Sequence, residues 1–391
     1  MPVSPAYKDA LTSIRGTLHD MHGNQAGERS PPSFSREADL FLCGLKPRAL
    51  SHRLNAMKPL LWITAAMVLS AGLAEHASAQ AESFREAARA INDTIRAHHF
   101  DRASLGDPRY RQLEQQVLAL GEQATTADEF LKSFNEAWSK GPFSHVGLRK
   151  ADQPAAARIA SLDNFVAGPE AVTLQWQDST AILEVTTMTG ADTIAAINAA
   201  YVEIARRKPQ KLIVDLRQNG GGAFAVVPLV GHLVDEPFDA GVFVTQSWYE
   251  HHRDPPTVAD FPTAVPWQGY SIAAFQADIL SRPLTSYRIT PLQPRFTGPV
   301  YVLTGKRSWS AAEIAADALQ SIGRAKVVGE KTPGVVLSSK LFDIPGGLHL
   351  RVPIADYYSR SGKRLEGSGV MPDIAVSAEQ ALEAALAAKR E

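Results

Sequence analysis

The chain has 391 residues, 45% of them apolar and 21% charged, and its 40 Lys and Arg nearly balance its 41 Asp and Glu. That length and apolar content support about two or three domains with a substantial core, and they exclude a disordered chain. A net charge of −1 gives no electrostatic footprint for nucleic acid, and a single cysteine excludes a disulfide framework and a Cys-rich zinc site.

The first ordered signal in the chain is at residues 57–79. Met57 is followed by Lys58, by a 14-residue apolar run from Leu60 to Leu73, and by the small-x-small site Ala77-Ser78-Ala79. The run matches a signal-peptide core of roughly 7–15 residues and falls short of the ~20 needed to span a bilayer. A signal peptide at 57–79 is therefore expected, cleaved before Gln80, with export to the periplasm or beyond and no stable membrane span afterwards. Residues 1–56 are rich in Pro, Ser, Arg and His and have no sustained period. They read as a mispredicted extension ahead of a start at Met57. Cys43 lies in that stretch, so the chain from Gln80 has no cysteine, which suits an exported protein.

Residues 80–168 read as a small helical domain. Phe84, Ala87, Ala88, Ile91 and Ile95 recur at helical spacing, as do Leu113, Val117, Leu118 and Leu120, and then Phe130, Leu131, Phe134 and Trp138. Thr126 or Asp128 caps the third helix, and Gly141-Pro142 stops it. Residues 169–391 alternate between strand and helix. Strands are expected at 172–176, 181–185, 212–216, 300–303 and 326–328, and helices at 191–207, 226–234 and 311–322. This alternation implies an α/β layered domain. The segment 250–297 is Pro- and aromatic-rich with little periodicity, and it reads as an inserted lid or binding loop.

The sequence has no H-E-x-x-H, G-x-S-x-G or Ser-x-x-Lys. The histidine pairs 98–99 and 251–252 are sequence neighbours, which on a helix point about 100° apart, so neither reads as a metal site. No cofactor is expected.

Three segments carry more. Asp215-Leu-Arg-Gln-Asn-Gly-Gly-Gly222 ends a buried strand, where glycines let backbone N–H groups face a ligand oxygen. Alone it reads equally as a tight turn. Ser308-Trp-Ser310-Ala-Ala-Glu313 lies between a strand and a helix. There Ser310 sits at a helix N-terminus, and the Ala311 N–H is a candidate oxyanion donor. The structural reading is a capping box, S-x-x-E, and Ser308 competes with Ser310. Leu365 to Asp373 is turn-rich.

Together these segments resemble the tail-specific, or C-terminal processing, serine peptidase family. Its pattern is D-L-R-x-N-x-G-G, S-A-x-E, G-E-x-T-x-G and G-V-x-P-D. Here Asp215 to Gly222, Ser310 to Glu313, Gly329 to Gly334 and Gly369 to Asp373 stand in that order. The resemblance covers roughly 170–376 and implies a crotonase-like layered α/β fold and a peptide or unfolded-protein substrate. One catalytic design of the family places a lysine 25 residues after the serine, but Val335 stands there, with Lys331 and Lys340 out of register. The other, seen in the tricorn-protease core, uses a Ser-His pair upstream, the nucleophile, and a downstream glutamate. Ser144-His145 and Glu366 match it.

The resemblance thus implies Ser310 as nucleophile, His145 as base, Ser144 or Glu366 as orienting groups, and Gly221 and Ala311 as oxyanion donors. Many members carry a PDZ domain; only about 25 residues separate His145 from the first expected strand, too few for a domain of ~90 residues. A non-catalytic protein binding an apolar ligand or peptide on the same fold, and a crotonase-like acyl-CoA enzyme, are the alternatives. Oligomeric state has no sequence signal.

Overall fold

The computed structural model describes residues 83–388. The expected extension at 1–56 and signal peptide at 57–79 lie outside the described residues. The first helix, α1 (83–98), buries Phe84, Ala87, Ala88, Ile91 and Ile95, the stripe that the spacing predicts. Helix α2 (Pro108–Gln123) starts with proline at its first position, and the Asp107 side chain accepts from the Arg109 N–H. Helix α3 (Ala127–Trp138) is capped by Thr126 rather than Asp128, its hydroxyl accepting from the Glu129 N–H. The three helices share one core with Leu148, Ile344, Leu348, Leu350 and Val352, so the helical part is seated on a sheet.

After α3 the elements in chain order are β1 (Gly147–Lys150), α4 (Ala155–Leu162), β2 (Val172–Gln177), β3 (Thr180–Val185), α5 (Ala191–Arg207), β4 (Lys211–Asp215), α6 (Val226–Gly231), β5 (Phe238–Thr245) and α7 (Gln246–Tyr249). Then come β6 (Val265–Trp267), α8 (Ile272–Leu280), β7 (Leu284–Ile289), β8 (Val300–Thr304), α9 (Ala311–Ser321), β9 (Lys326–Gly329), β10 (Ser338–Ile344), β11 (Leu348–Ser359), β12 (Ile374–Ala375) and α10 (Ala381–Ala387). One sheet has the order β12-β9-β8-β4-β3-β2, parallel except for the β2–β3 pair. Its central strands β4 and β8 are covered on both sides and read as unbroken apolar runs. The other sheet has the order β1-β11-β5-β7-β6, with β10 also paired to β11.

Helix α9 touches strands of both sheets, and α10 covers the outer side of β8 and β9. The result is an α/β layered fold. Segment 250–297 is not a plain loop. It contains β6, α8 and β7, and β7 joins the core of the second sheet. Its prolines and the three-residue length of β6 hide that periodicity from the sequence. Among the described residues no helix is long and apolar enough to cross a membrane.

Candidate active site

The parallel sheet delivers both glycine-rich and serine-bearing turns to one end. Strand β4 ends at Asp215, whose carboxylate holds Arg217 in a fork, Nη2 to Oδ2 at 2.6 Å and Nε to Oδ1 at 2.9 Å. Neighbouring β8 ends at Thr304, and its turn is closed by Ser308. That hydroxyl donates to the Leu216 carbonyl at 2.8 Å and accepts from the Gly305 N–H at 2.9 Å, and Ser308 is fully buried. Ser308 therefore ties the two strand ends together and has no free hydroxyl for chemistry.

Ser310 stands at the start of α9 with φ 54° and ψ −112°, a backbone conformation that L-residues rarely adopt. A sharp strand-to-helix turn of this kind lifts a side chain clear of its neighbours. What holds it is Glu313. This fully buried carboxylate accepts from the Ser310 N–H at 2.9 Å, the Thr332 hydroxyl at 2.6 Å, the Gly334 N–H at 2.7 Å and the Val335 N–H at 2.9 Å. The S-x-x-E pattern is thus a capping box, and its glutamate also anchors the 332–335 turn. The G-V-x-P-D element is structural in the same way. Val370 N–H donates to Thr332 Oγ1 at 2.8 Å, and Asp373 Oδ2 accepts from the Val327 N–H at 2.7 Å. Gly369, at φ 61°, packs so closely that a Cβ would clash with the Thr332 carbonyl oxygen.

Ser144 and His145 follow α3 in the turn before β1. The Ser144 hydroxyl lies 2.7 Å from His145 Nδ1 and near enough to the Glu366 carboxylate to favour its charged form. Glu366 in turn accepts from the Val336 N–H at 2.8 Å. When the Ser144 proton turns toward an ionised Glu366, which can only accept, Ser144 Oγ accepts from His145 Nδ1–H. Nε2 is then the bare, proton-accepting nitrogen. Burial, and secondarily the charge of Arg351, pushes the His145 pKa down to about 4, so the imidazole is neutral at neutral pH. Burial raises the Glu366 pKa, opposed by the Ser144 hydrogen bond.

His145 and Ser310 line the same cavity of about 390 Å³, together with Gly220, Gly222 and Ala311. Gly221 does not line it. Its N–H donates to Asn219 Oδ1 at 2.9 Å, and Asn219 is fully buried, held by its amide on the Val185 carbonyl. The Gly221 N–H expected as an oxyanion donor is therefore engaged elsewhere. Gly221 must still be glycine, because a Cβ there would meet the Trp309 carbonyl oxygen at 2.8 Å and Ser310 Cβ at 2.9 Å. The bridge with Met188 uses the Gly221 carbonyl and the Ala223 N–H, leaving the Gly222 N–H on the other side. Among the described residues nothing accepts from the N–H of Gly222 or of Ala311.

Sequence reasoning missed Asn219 and the wider role of Glu313. Both lie inside segments that it quoted, but only the folded contacts reveal their partners.

The model of peptidase family S41 matches residues 179–376, about half of the chain and the part that carries both turns. The chain belongs to peptidase family S41. This S41 chain is 26% identical over 188 residues to the chloroplastic C-terminal processing peptidase of Tetradesmus obliquus, a stretch covering 48% of the chain and 33% of that relative. It is 41% identical over 87 residues to the carboxyl-terminal-processing protease of a Picosynechococcus species, covering 22% of the chain and 21% of that relative. The matches thus span a third or less of these curated relatives. Among solved structures, a lipoprotein from Streptococcus agalactiae shares the fold with a TM-score of 0.51 at 14% identity, covering 78% of the S41 chain and 94% of the lipoprotein. A Parabacteroides merdae protein shares it with a TM-score of 0.52 at 16% identity, covering 75% and 90%.

Proposed function

We propose that the protein is a serine endopeptidase that hydrolyses peptide bonds in peptides or unfolded proteins. The observation that carries this reading is the Ser144–His145 hydrogen bond, with Glu366 beside it, next to a cavity that His145 and Ser310 both line. Ser310 Oγ attacks the scissile carbonyl while His145 Nε2 takes its proton and returns it to the leaving amine. Ser144 and Glu366 hold the imidazole in the tautomer that leaves Nε2 free. The N–H groups of Gly222 and Ala311 stabilise the oxyanion, each contributing about 3–4 kcal/mol. Gly222 takes the place expected of Gly221, whose own N–H is held by Asn219.

Export on the 57–79 segment belongs to the same proposal. A secreted product whose mass starts at Gln80 supports it, and a product retaining residues 57–79 contradicts it.

The test is Ser310→Ala in the full chain, assayed on a denatured casein-type substrate. A loss of about 10⁴-fold or more in kcat is expected from removing the nucleophile. Unchanged hydrolysis overturns the reading. The aromatic cavity lining of Phe224, Phe243, Phe275 and Tyr287 favours a second reading, a non-catalytic carrier of an apolar ligand or peptide. Tight ligand binding with no fluorophosphonate labelling of Ser310 would support that carrier instead.

A further inference from the structure

The turn that carries Ser144 and His145 does not hold its own shape. His145 has φ 61°, the left-handed region that a residue with a Cβ enters at a cost. Such a conformation persists only where the surrounding structure over-determines it. The helical part supplies that constraint from both sides of the turn.

The upstream side is held by rings. The Gly141 N–H donates to the Trp138 carbonyl at 2.9 Å, so the chain doubles back at the end of α3. A Cβ on Gly141 would press on the Trp138 ring and on its carbonyl oxygen, both at 3.0 Å. This fold-back lays Phe143 among three aromatic rings. His99, just past α1, has its ring centre 4.3 Å from that of Phe143, Tyr110 of α2 at 5.9 Å and Trp138 of α3 at 6.3 Å, all three tilted against it. All three partners are buried. His99 Nε2 and Trp138 Nε1 have no hydrogen-bond partner among the described residues, a cost that aliphatic packing would avoid.

The downstream side is held by an amide. Asn135 of α3 donates through Nδ2 to the Leu148 carbonyl at 2.8 Å, and its Oδ1 accepts from the Leu148 N–H at 3.0 Å. One side chain thus pairs with the β1 backbone as a neighbouring strand would. Ser144 and His145 lie on the short span between these two fixed points. Neither Phe143 nor Asn135 lines the cavity that His145 and Ser310 share, so neither is placed to touch a substrate there.

We propose that Phe143 and Asn135 are positioning residues, which hold the Ser144–His145 turn so that the His145 imidazole faces Ser310. The end of the helical part where α1 and α3 finish then has a part in catalysis. This rests on the peptidase reading and goes beyond it by adding residues that act through His145. Phe84, stacked on Phe130 at 5.6 Å, belongs to the same helical core where α1 and α3 begin, away from the turn.

The experiment uses the full chain and a peptide that wild type cleaves, at a temperature where melts show every variant folded. Phe143→Ala is expected to lower kcat by about 10²-fold with KM within about threefold of wild type, as for a catalytic group misplaced by ~1 Å. Asn135→Ala should lose about tenfold in kcat, and Phe143→Tyr, which keeps the ring, should stay within about threefold of wild type. Phe84→Ala is the control, expected to lower Tm at least as much as Phe143→Ala and to leave kcat within about twofold. A Phe143→Ala protein with wild-type kcat overturns the proposal. So does a Phe84→Ala protein that loses as much kcat as Phe143→Ala.

The His145 ring is also read without turnover, by ¹⁵N NMR, its signals assigned by their loss in His145→Gln. Wild type is expected to show one tautomer, protonated at Nδ1, and Phe143→Ala an average of two. Unchanged ring signals in Phe143→Ala overturn the positioning role, whether or not the protein is a peptidase. Changed signals, with no hydrolysis by wild type, would keep that role and remove the peptidase. Should Phe143→Ala fail to fold, Phe143→Leu and Asn135→Ala carry the same comparisons.

Discussion

At the residue scale the site depends on two strained or desolvated side chains. His145 has its pKa lowered to about 4, chiefly by burial. Only the neutral imidazole can accept the Ser310 proton, so kcat/KM should fall as pH drops through about 4, rather than through the ordinary histidine value near ~6.5. A pH profile on a neutral substrate checks this, and an acid limb near 6.5 would contradict it. Ser310 has φ 54° with ψ −112°, where a Cβ is costly. Ser310→Gly should therefore abolish hydrolysis and still be more stable than Ser310→Ala by about 1–2 kcal/mol, because only glycine occupies that region freely. Denaturant melts of the two variants supply the comparison.

At the scale of elements, Glu313 couples the start of α9 to the 332–335 turn through four donors. Glu313→Gln keeps the shape but points an NH₂ group at backbone N–H groups on whichever side it turns. A loss of roughly 3 kcal/mol or more follows from leaving those donors unmatched in a buried place. Calorimetry should show it as a lowered Tm, with kcat reduced because the Ser310 backbone is released. A Tm within about 1 °C of wild type would contradict it.

The same scale separates what the sequence displays from what it hides. Strands β4 and β8 are apolar runs buried on both sides, and they stand out as Leu212–Leu216 and Val300–Leu303. Strand β10 is half-buried almost throughout, and β11 carries His349, Arg351 and Pro353 among its apolar residues. β10 shows no period, whereas β11 alternates Leu348, Leu350 and Val352 with His349, Arg351 and Pro353, and its pairing to β10, β1 and β5 decides which face is covered. The serine, histidine and glutamate proposed for the site could be named from the sequence because the family resemblance supplies a pattern to match them against. The choice between the Gly221 and Gly222 N–H is not legible, since it turns on the Asn219 side chain.

For the whole molecule, the buried titratable groups work against one another. His99 and His145 both have pKa values lowered to about 4 by burial. Unfolding lets them bind protons, so as pH falls from about 6.5 to 4 they withdraw stability. Asp317 and Asp356 are both pushed up to about 6, again chiefly by burial. Between about 4 and 6 the folded state holds more of their protons than the unfolded state does, so they withdraw stability as pH rises. The two trends oppose each other across one window and should leave a shallow stability profile there.

Asp317 is the cleaner handle, because its Oδ2 has no hydrogen-bond partner among the described residues and it lies away from the serine turn along α9. Asp317→Asn should gain on wild type by up to about 3 kcal/mol above pH 6, since two pKa units correspond to roughly that much. Below pH 4, where the wild-type carboxyl is protonated in both states, the two proteins should converge. Without that opposing group the variant's stability should climb more steeply from pH 4 to 6.5. Urea melts of both proteins at four or five pH values decide it, and a constant offset at every pH would mean that Asp317 is not the titrating group.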